Sequence, residues 1–217
     1  ILGHDLRAPL QAVSMSTELL LRKSSLEGEA LACALHIKRG ARHMAAMVSD
    51  LLELVRGRLG RSLPIEPVPM DMADAARAAI AEACAGNPEC DPKLNVNGDP
   101  RGTWDAGRID QLLQNLIGNA LQHGANKRDV TLNISAQGEN VCLSVHNHGT
   151  PIPEEVIGTI FDPLVRSANE KLGQPSTSLG LGLFIVREVV IAHGGTIEVS
   201  SNETDGTLFS VVLPRKP

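Results

Sequence analysis

The first helical stretch of the chain carries a histidine on the side away from its apolar residues. At about 100° per residue, His4 lies roughly opposite the centre of an apolar arc, beside the Asp5 carboxylate and one turn before Arg7. An imidazole on the outside of a helix is accessible to a second domain or to another protein. The alternative is an ordinary solvated surface histidine. The arc itself is formed by Leu2, Leu6, Pro9, Leu10, Val13, Thr17 and Leu20.

Two further groups of residues have the chemistry of a phosphate and metal site. Asn115 and Asn119 are four residues apart on one predicted helix, so their amides share a face, and amide oxygens are hard ligands that suit Mg²⁺. Gly180 and Gly182 open another predicted helix, where free backbone N–H groups bind anions. The alternatives are asparagines that bond only water and glycines that only turn the chain.

These segments have an order and spacing that resemble a known family. The segments at 1–10, 111–120, 147–153, 160–163 and 180–186 are similar to the H, N, G1, F and G2 boxes of bacterial two-component sensor histidine kinases. The resemblance covers nearly the whole chain. It implies that ATP phosphorylates His4, with Asp5 as general base or orienting group, and that the phosphoryl group passes to an aspartate of a response regulator.

The resemblance also implies the site residues. Asn119 is expected to coordinate Mg²⁺, Asn115 to contact the phosphates of ATP, and His4, Asp5 and Arg7 to form the catalytic set. The remaining residues expected to bind the cofactor are Gln122, His123, Asn147, Gly149, Phe161, Arg166, Gly180, Leu181, Gly182 and Leu183.

Three positions depart from the family pattern. Gln122 replaces a basic residue that faces the phosphates, a contact that His123, Arg108 or Arg166 can partly replace. Asn147 replaces an aspartate that accepts a hydrogen bond from the adenine amino group, and a neutral acceptor forms a weaker bond than a charged one. Ser178 replaces a glycine, which stiffens the expected lid hinge. The sequence at 147–153 resembles that of the bacterial phytochrome-type kinases.

Composition excludes other classes of function. Aromatic residues are 2% of the chain and the net charge is −5, which argue against base stacking and against a nucleic-acid partner. The four cysteines form no CxxC pair and are expected to be reduced thiols of a cytoplasmic protein. No apolar run is long enough to span a membrane, yet the chain opens without Met and in helical register. We therefore expect a fragment whose sensory part is absent, from a protein that can be membrane-anchored.

The pattern of the chain predicts two domains. Residues 1–59 form a helical hairpin whose thin apolar stripes predict a homodimer, paired as a four-helix bundle. Pro9 is expected to loosen the turn that contains His4. Residues 60–217 are expected to be a two-layer α/β sandwich, the fold of the GHKL ATPases, with a flexible lid between Pro163 and Gly180.

The elements of this second domain follow from periodicity and turn signals. Strands are predicted at 65–70, near 94, near 103, and at 130–136, 141–147, 196–201 and 208–213. Helices are predicted at 72–85, 105–123 and 181–193.

Two rival functions remain at this stage. The first is a degenerate kinase that acts as a dimeric scaffold, which Asn147, Gln122 and Ser178 suggest. The second is a GHKL ATPase or a serine-type kinase without phosphohistidine, against which the helix of His4 argues.

Overall fold

The computed structural model describes residues 2–23, 26–58, 63–85, 87, 89–165 and 180–216. The chain divides into two compact units, Ile1–Arg61 and Ser62–Pro217. Among the helices described, none has the length and apolar character needed to cross a membrane.

The first unit is a hairpin of two packed helices, α1 (Leu2–Lys23) and α2 (Gly28–Arg58). Gly28 has φ +55°, a left-handed conformation that glycine adopts without strain and that starts α2 after the turn. Helix α1 continues through Pro9. Among the hairpin side chains that the structure describes, those of Thr17, Ala34, Ala41 and Leu54 are buried, and the Thr17 hydroxyl donates a hydrogen bond to the Val13 carbonyl.

Much of the apolar surface of this hairpin stays exposed. Helical spacing in the sequence predicts one apolar stripe on α2, formed by Ile37, Ala41, Met44, Val48, Leu51, Leu52 and Val55. The stripe is divided, because Ala41 is buried whereas Ile37, Met44, Leu51 and Val55 are about half exposed. On α1, Val13, Met15, Leu19 and Leu20 are exposed as well. Two helices of this composition therefore cover only a part of their apolar side chains by packing on each other.

The second unit holds a mixed five-stranded sheet and a two-stranded sheet. Strand order in the large sheet is β2-β4-β5-β7-β6, with β2 and β4 parallel and the other pairs antiparallel, and β1 pairs with β3 separately. The strands are β1 (Val68–Asp71), β2 (Lys93–Asn97), β3 (Arg101–Trp104), β4 (Thr131–Gln137), β5 (Asn140–Asn147), β6 (Thr196–Asn202) and β7 (Gly206–Pro214). The helices are α3 (Met72–Ala83), α4 (Ala106–His123), α5 (Glu154–Ile157) and α6 (Gly182–Ala192).

The helices cover one face of the large sheet. Alternate residues of β5 are buried, as are those of β7, because successive side chains of a strand point to opposite faces. Helix α4 contributes the apolar face predicted from its periodicity, with Leu112, Leu113, Leu116 and Ile117 fully buried. The predicted fold class, a helical hairpin followed by a two-layer α/β sandwich, is confirmed at this level.

The structure differs from the sequence predictions in detail. The first strand begins at Val68 instead of residue 65, since Pro64 and Pro67 have no N–H for a ladder. The one-turn helix α5 was not predicted. The expectation that all four cysteines are reduced thiols is wrong for two of them, because Cys84 and Cys90 form a disulfide. The backbone N–H of Asn87 donates to the Cys84 carbonyl and closes a turn, which brings cysteines six residues apart within reach.

Candidate functional site

The two asparagines of α4 lie beside the start of α6. Asn115 and Asn119 are both half-buried, on the side of the helix that its apolar residues leave free. A Cβ atom built on Gly182 would lie 2.9 Å from the Asn115 Oδ1 atom, so only glycine fits there without displacing the amide. The structure therefore brings together two predicted segments that are 67 residues apart in the chain.

The first turn of α6 has free backbone N–H groups, and the side chain of its N-cap residue, Leu181, is buried. Helix α6 begins at Gly182 with Leu181 as its N-cap, and no side chain caps the free N–H groups of that turn. The Leu181 side chain is fully buried and Leu183 is half-buried. Any contact that Leu181 makes with an anion must therefore go through its backbone N–H.

Asn147 ends β5 next to the end of α4. The residue is 3% exposed, and its side-chain amide, which makes no hydrogen bond with the described part of the chain, keeps some contact with solvent. Gly124 and Gly149 form an isolated antiparallel bridge, and the Ala125 N–H donates to the His148 carbonyl over 2.7 Å. A Cβ on Gly149 would overlap the carbonyl of His123, so glycine is required for this close approach.

The loop after α5 is fixed to the sheet and to α6. The Phe161 ring packs edge-on against the buried Phe209 ring of β7, with centroids 6.3 Å apart. The Leu164 N–H donates to the Gly180 carbonyl, and both residues have positive φ angles. The contacts of Phe161 are those of a core residue, and its expected part in cofactor binding stays a prediction.

Gln122 and the residues expected to replace its missing positive charge lie at different distances from Asn119. Gln122 and His123 are exposed at the end of α4, near Asn119. Arg108 lies eleven residues before Asn119, about 16 Å along the helix axis, and donates to Gln111. Arg108 is thus too distant to replace a cation at position 122. Arg166 lies outside the described residues, as does Ser178.

The predicted catalytic set belongs to the first unit. His4, Asp5 and Arg7 all lie within the helical backbone of α1. The side chains of these three residues are outside the part of the chain that the structure describes, so their expected orientation stays a prediction.

One buried polar residue was missed in the sequence. His193, which follows α6 directly, is fully buried and makes hydrogen bonds through both ring nitrogens, to Val189 and to Asp105. A histidine in the last turn of an apolar helix, followed by Gly194 at φ +69°, was the available signal. Burial raises the pKa of Asp105, but backbone N–H groups of Glu66, Arg108 and Gly107 outweigh burial and lower it overall.

This arrangement of sheet, helices and glycine-rich helix start defines an ATPase fold, and family comparisons agree. Residues 104–217 match the family model described as histidine kinase-, DNA gyrase B-, and HSP90-like ATPase. Residues 1–60 match the His Kinase A (phospho-acceptor) domain. The chain therefore belongs to the histidine kinase-like ATPase family, and with both segments it has the architecture of a two-component histidine kinase catalytic core.

Individual relatives cover the chain almost completely. It is 32% identical over 214 residues to a bacteriophytochrome of Pseudomonas aeruginosa, and the matched segment covers 99% of this chain and 29% of that protein. It is 36% identical to the "Probable sensor histidine kinase TcrY" of Mycobacterium tuberculosis, over 98% of this chain and 44% of that protein. The chain thus spans less than half of the length of these relatives.

Two solved structures are similar to nearly all of this chain or to its larger part. Full-length ShkA in complex with AMPPNP is similar over 98% of this chain and 44% of that protein, with 26% identity and a TM-score of 0.69. The catalytic domain of the histidine kinase ThkA is similar over 70% of this chain and 97% of that domain, with 26% identity and a TM-score of 0.59.

Proposed function

We propose that this chain is an ATP-dependent protein histidine kinase core that phosphorylates His4 and passes the phosphoryl group to an aspartate of a response regulator. The observation that carries the proposal is that a Cβ on Gly182 would lie 2.9 Å from the Asn115 Oδ1 atom, so the first turn of α6, a helix start of the kind that binds anions, is next to the Asn115 amide. The amide of Asn147 supports it, since it makes no hydrogen bond with the described residues, is still reached by solvent, and is therefore available to a ligand.

Each residue of the site has a role in this proposal. Asn115 and the backbone N–H groups of Gly180, Leu181, Gly182 and Leu183 bind the phosphates of ATP. Asn147 accepts a hydrogen bond from the adenine amino group, and Gly149 keeps the neighbouring backbone close. His123 is the nearest described residue that can supply a cation in place of Gln122.

The donor set also fits a magnesium ion. The Asn119 amide lies one turn after Asn115 on the same face of α4, and Mg²⁺ takes few protein oxygens beside the phosphates. Asn119 would hold the ion. When bound, Mg²⁺ would neutralise charge on the triphosphate.

The proposed reaction is an in-line displacement. An unprotonated ring nitrogen of His4 attacks the γ-phosphorus, the bond to the bridging oxygen breaks, and ADP leaves. Asp5 takes the proton that the imidazole loses, or orients the ring through it. Arg7 is the cation of the same turn. The product is phosphohistidine.

Dimerisation is part of this proposal. The exposed Ile37, Met44, Leu51 and Val55 of α2 need an apolar partner, and the same face of a second copy would cover them in a four-helix bundle. Ile37→Glu should yield monomers in analytical ultracentrifugation. A monomeric unchanged chain at micromolar concentration would refute the dimer.

We place the response regulator on the exposed face of α1 after His4. Gln11, Ala12, Met15 and Ser16 are exposed there. The aspartate of a receiver domain that docks on this face would reach His4 about two to three turns away. Gln11→Ala and Met15→Ala should slow phosphotransfer while leaving phosphorylation of His4 unchanged.

Radiolabelled ATP tests the kinase activity directly. The unchanged chain should acquire a label that is stable in base and lost in acid, and His4→Gln should acquire none. His36→Gln is a matched control, since His36 is exposed on α2. A label that survives in His4→Gln would refute the assignment, and nucleotide binding without any label would identify the scaffold instead.

The same helix bears on dephosphorylation of the regulator. Ala8 lies four residues after His4, on the same helix face, and has no polar group to hold an attacking water. The proposed kinase should therefore have weak phosphatase activity, and Ala8→Thr should increase it. Rapid loss of phosphate from a purified phospho-regulator with the unchanged chain, beyond back-transfer, would contradict this expectation.

A further inference from the structure

His193 is a buried histidine with a defined role for each ring nitrogen. Its Nδ1 atom lies 2.8 Å from the Val189 carbonyl oxygen, and its Nε2 atom lies 3.0 Å from the backbone nitrogen of Asp105. A carbonyl only accepts and a backbone N–H only donates. Nδ1 therefore carries the proton, and Nε2 accepts the hydrogen bond from Asp105.

The second of these bonds joins two helices. His193 follows the last residue of α6, and Asp105 is the N-cap of α4. The Asp105 side chain accepts hydrogen bonds from the backbone of Arg108 and of Glu66, so its own position is fixed. The end of α6 is thereby attached to a rigid point at the beginning of α4.

The same two helices meet again at the proposed phosphate site. Gly182 at the start of α6 lies against Asn115, so the helices run antiparallel and touch at two places. The contacts are ten residues apart on α4 and eleven apart on α6, about 15 to 17 Å along the axes. A helix is stiff along its axis, so a shift at His193 moves Gly182 by a similar distance.

We infer that His193 is a positioning residue, which holds α6 at the axial register that sets the first turn of α6 against Asn115. The inference rests on the proposed function only for its consequence, that nucleotide affinity depends on His193. The register itself is a property of the nucleotide-free protein.

Two substitutions separate the two hydrogen bonds. A glutamine places its terminal oxygen about where Nε2 lies, and so keeps the bond from Asp105 and loses the one to Val189. An asparagine places its amide nitrogen about where Nδ1 lies, and so keeps the bond to the Val189 carbonyl and loses the one from Asp105. Each variant loses one buried bond, so a merely structural role predicts similar effects for His193→Gln and His193→Asn.

The first measurement needs no nucleotide. In ¹⁵N spectra of the whole chain, His193→Asn should shift the Gly182 amide and the Asn115 side-chain amide, whereas His193→Gln should leave both near their positions in the unchanged chain. Val190→Ala, a buried truncation on the same helix, is the matched control and should shift neither. Unmoved resonances in His193→Asn, or equal shifts in Val190→Ala, would overturn the inference.

The second measurement reports the consequence. Binding of a non-hydrolysable ATP analogue with Mg²⁺, at a temperature where every variant is folded, should weaken at least about fivefold in His193→Asn and less than about twofold in His193→Gln. Equal affinities would overturn the inference. If the unchanged chain binds no nucleotide while the resonances shift as expected, the proposed function fails and the positioning role stands.

If His193→Asn does not fold, the hydrogen bond between Asp105 and His193 can be removed by a substitution at Asp105 instead. Asp105 has φ −75°, which proline adopts, so Asp105→Pro deletes the donor, and its Cδ atom also displaces the imidazole that lies 3.0 Å from the nitrogen. Asp105→Ala loses the same side-chain cap but keeps the N–H. The Gly182 resonance should move further in the proline variant, and equal shifts would overturn the inference.

Discussion

Asn147→Asp changes the charge at the base of the proposed adenine site with almost no change in shape. Asn147 ends β5, pairs in register with Thr207 and is 3% exposed. Asparagine and aspartate are nearly isosteric, so the substitution leaves no cavity and creates no overlap. Any effect on ligand binding or folding must therefore come from the carboxylate.

The effect on the nucleotide-free protein is a loss of stability. A carboxylate at this position, which is 3% exposed, should cost about 1–3 kcal/mol, because most of its hydration is lost and the described residues donate no hydrogen bond in its place. Burial raises the pKa of such a carboxyl above its unfolded value of about 3.9. Below that pH the group is neutral in both states and the penalty is absent; the penalty grows as the pH rises and is complete above the raised pKa.

The effect on ATP binding has the opposite sign. A charged acceptor for the adenine amino group gains about 1 kcal/mol over a neutral one, which corresponds to roughly fivefold tighter binding. Relief of the desolvated charge by the ligand adds to this gain. GTP should bind more weakly, since its O6 carbonyl would face a carboxylate without a donor, whereas the amide of Asn147 can rotate and donate.

Calorimetric titration with ATP and GTP measures both affinities, and fluorescence of Trp104 follows unfolding. Trp104 is the only tryptophan of the chain, the chain has no tyrosine, and the indole is fully buried. Asn140→Asp is the matched control, because it makes the same change at the other end of β5. ATP and GTP affinities that do not change in Asn147→Asp would refute the assignment of this residue to the base.

Three other predictions concern the second unit and are measured by urea unfolding with Trp104 fluorescence. Gly102→Ala should destabilise it by about 3 kcal/mol, because the new Cβ overlaps the buried Trp104 ring, whereas Gly107→Ala meets only ordinary contacts and should be neutral or stabilising. Cys84→Ser should cost about 2 kcal/mol through loss of the disulfide loop, and an equal loss in the reduced unchanged chain would support this cause. Asp105→Asn should cost about 1 kcal/mol at pH 7, a difference that disappears as the pH falls through the lowered pKa of the carboxyl; a pH-independent difference would contradict the reasoning.

Those parts of the fold that depend on neighbouring residues follow well from the sequence. Helix α4 was predicted within a residue because its period and its Asp105 cap are local signals, and its buried face is the predicted one. The hairpin of β4 and β5 follows from alternation on both sides of a turn at 137–140. Local patterns do not specify partners at long range, so the parallel pairing of β2 with β4 was not predicted.

The site shows the same division. Periodicity places Asn115 and Asn119 on one face of α4, and a glycine pair predicts an anion-binding helix start, each from local sequence. That a Cβ at position 182 would lie against the Asn115 amide follows only from the antiparallel packing of α4 and α6. The role of His193 is non-local in the same way, since its partner Asp105 lies 88 residues away.

The two units depend on other molecules in different ways. The second unit buries its apolar residues on its own sheet and leaves the Asn147 amide within reach of solvent. The first unit leaves large apolar side chains at the surface, such as Met15, Leu19 and Ile37. An accessible amide can bind a small polar ligand, whereas half-exposed apolar helices are covered by another apolar surface. Nucleotide should therefore stabilise the second unit with little dependence on protein concentration, while the stability of the first unit should rise with protein concentration, as expected for a dimer.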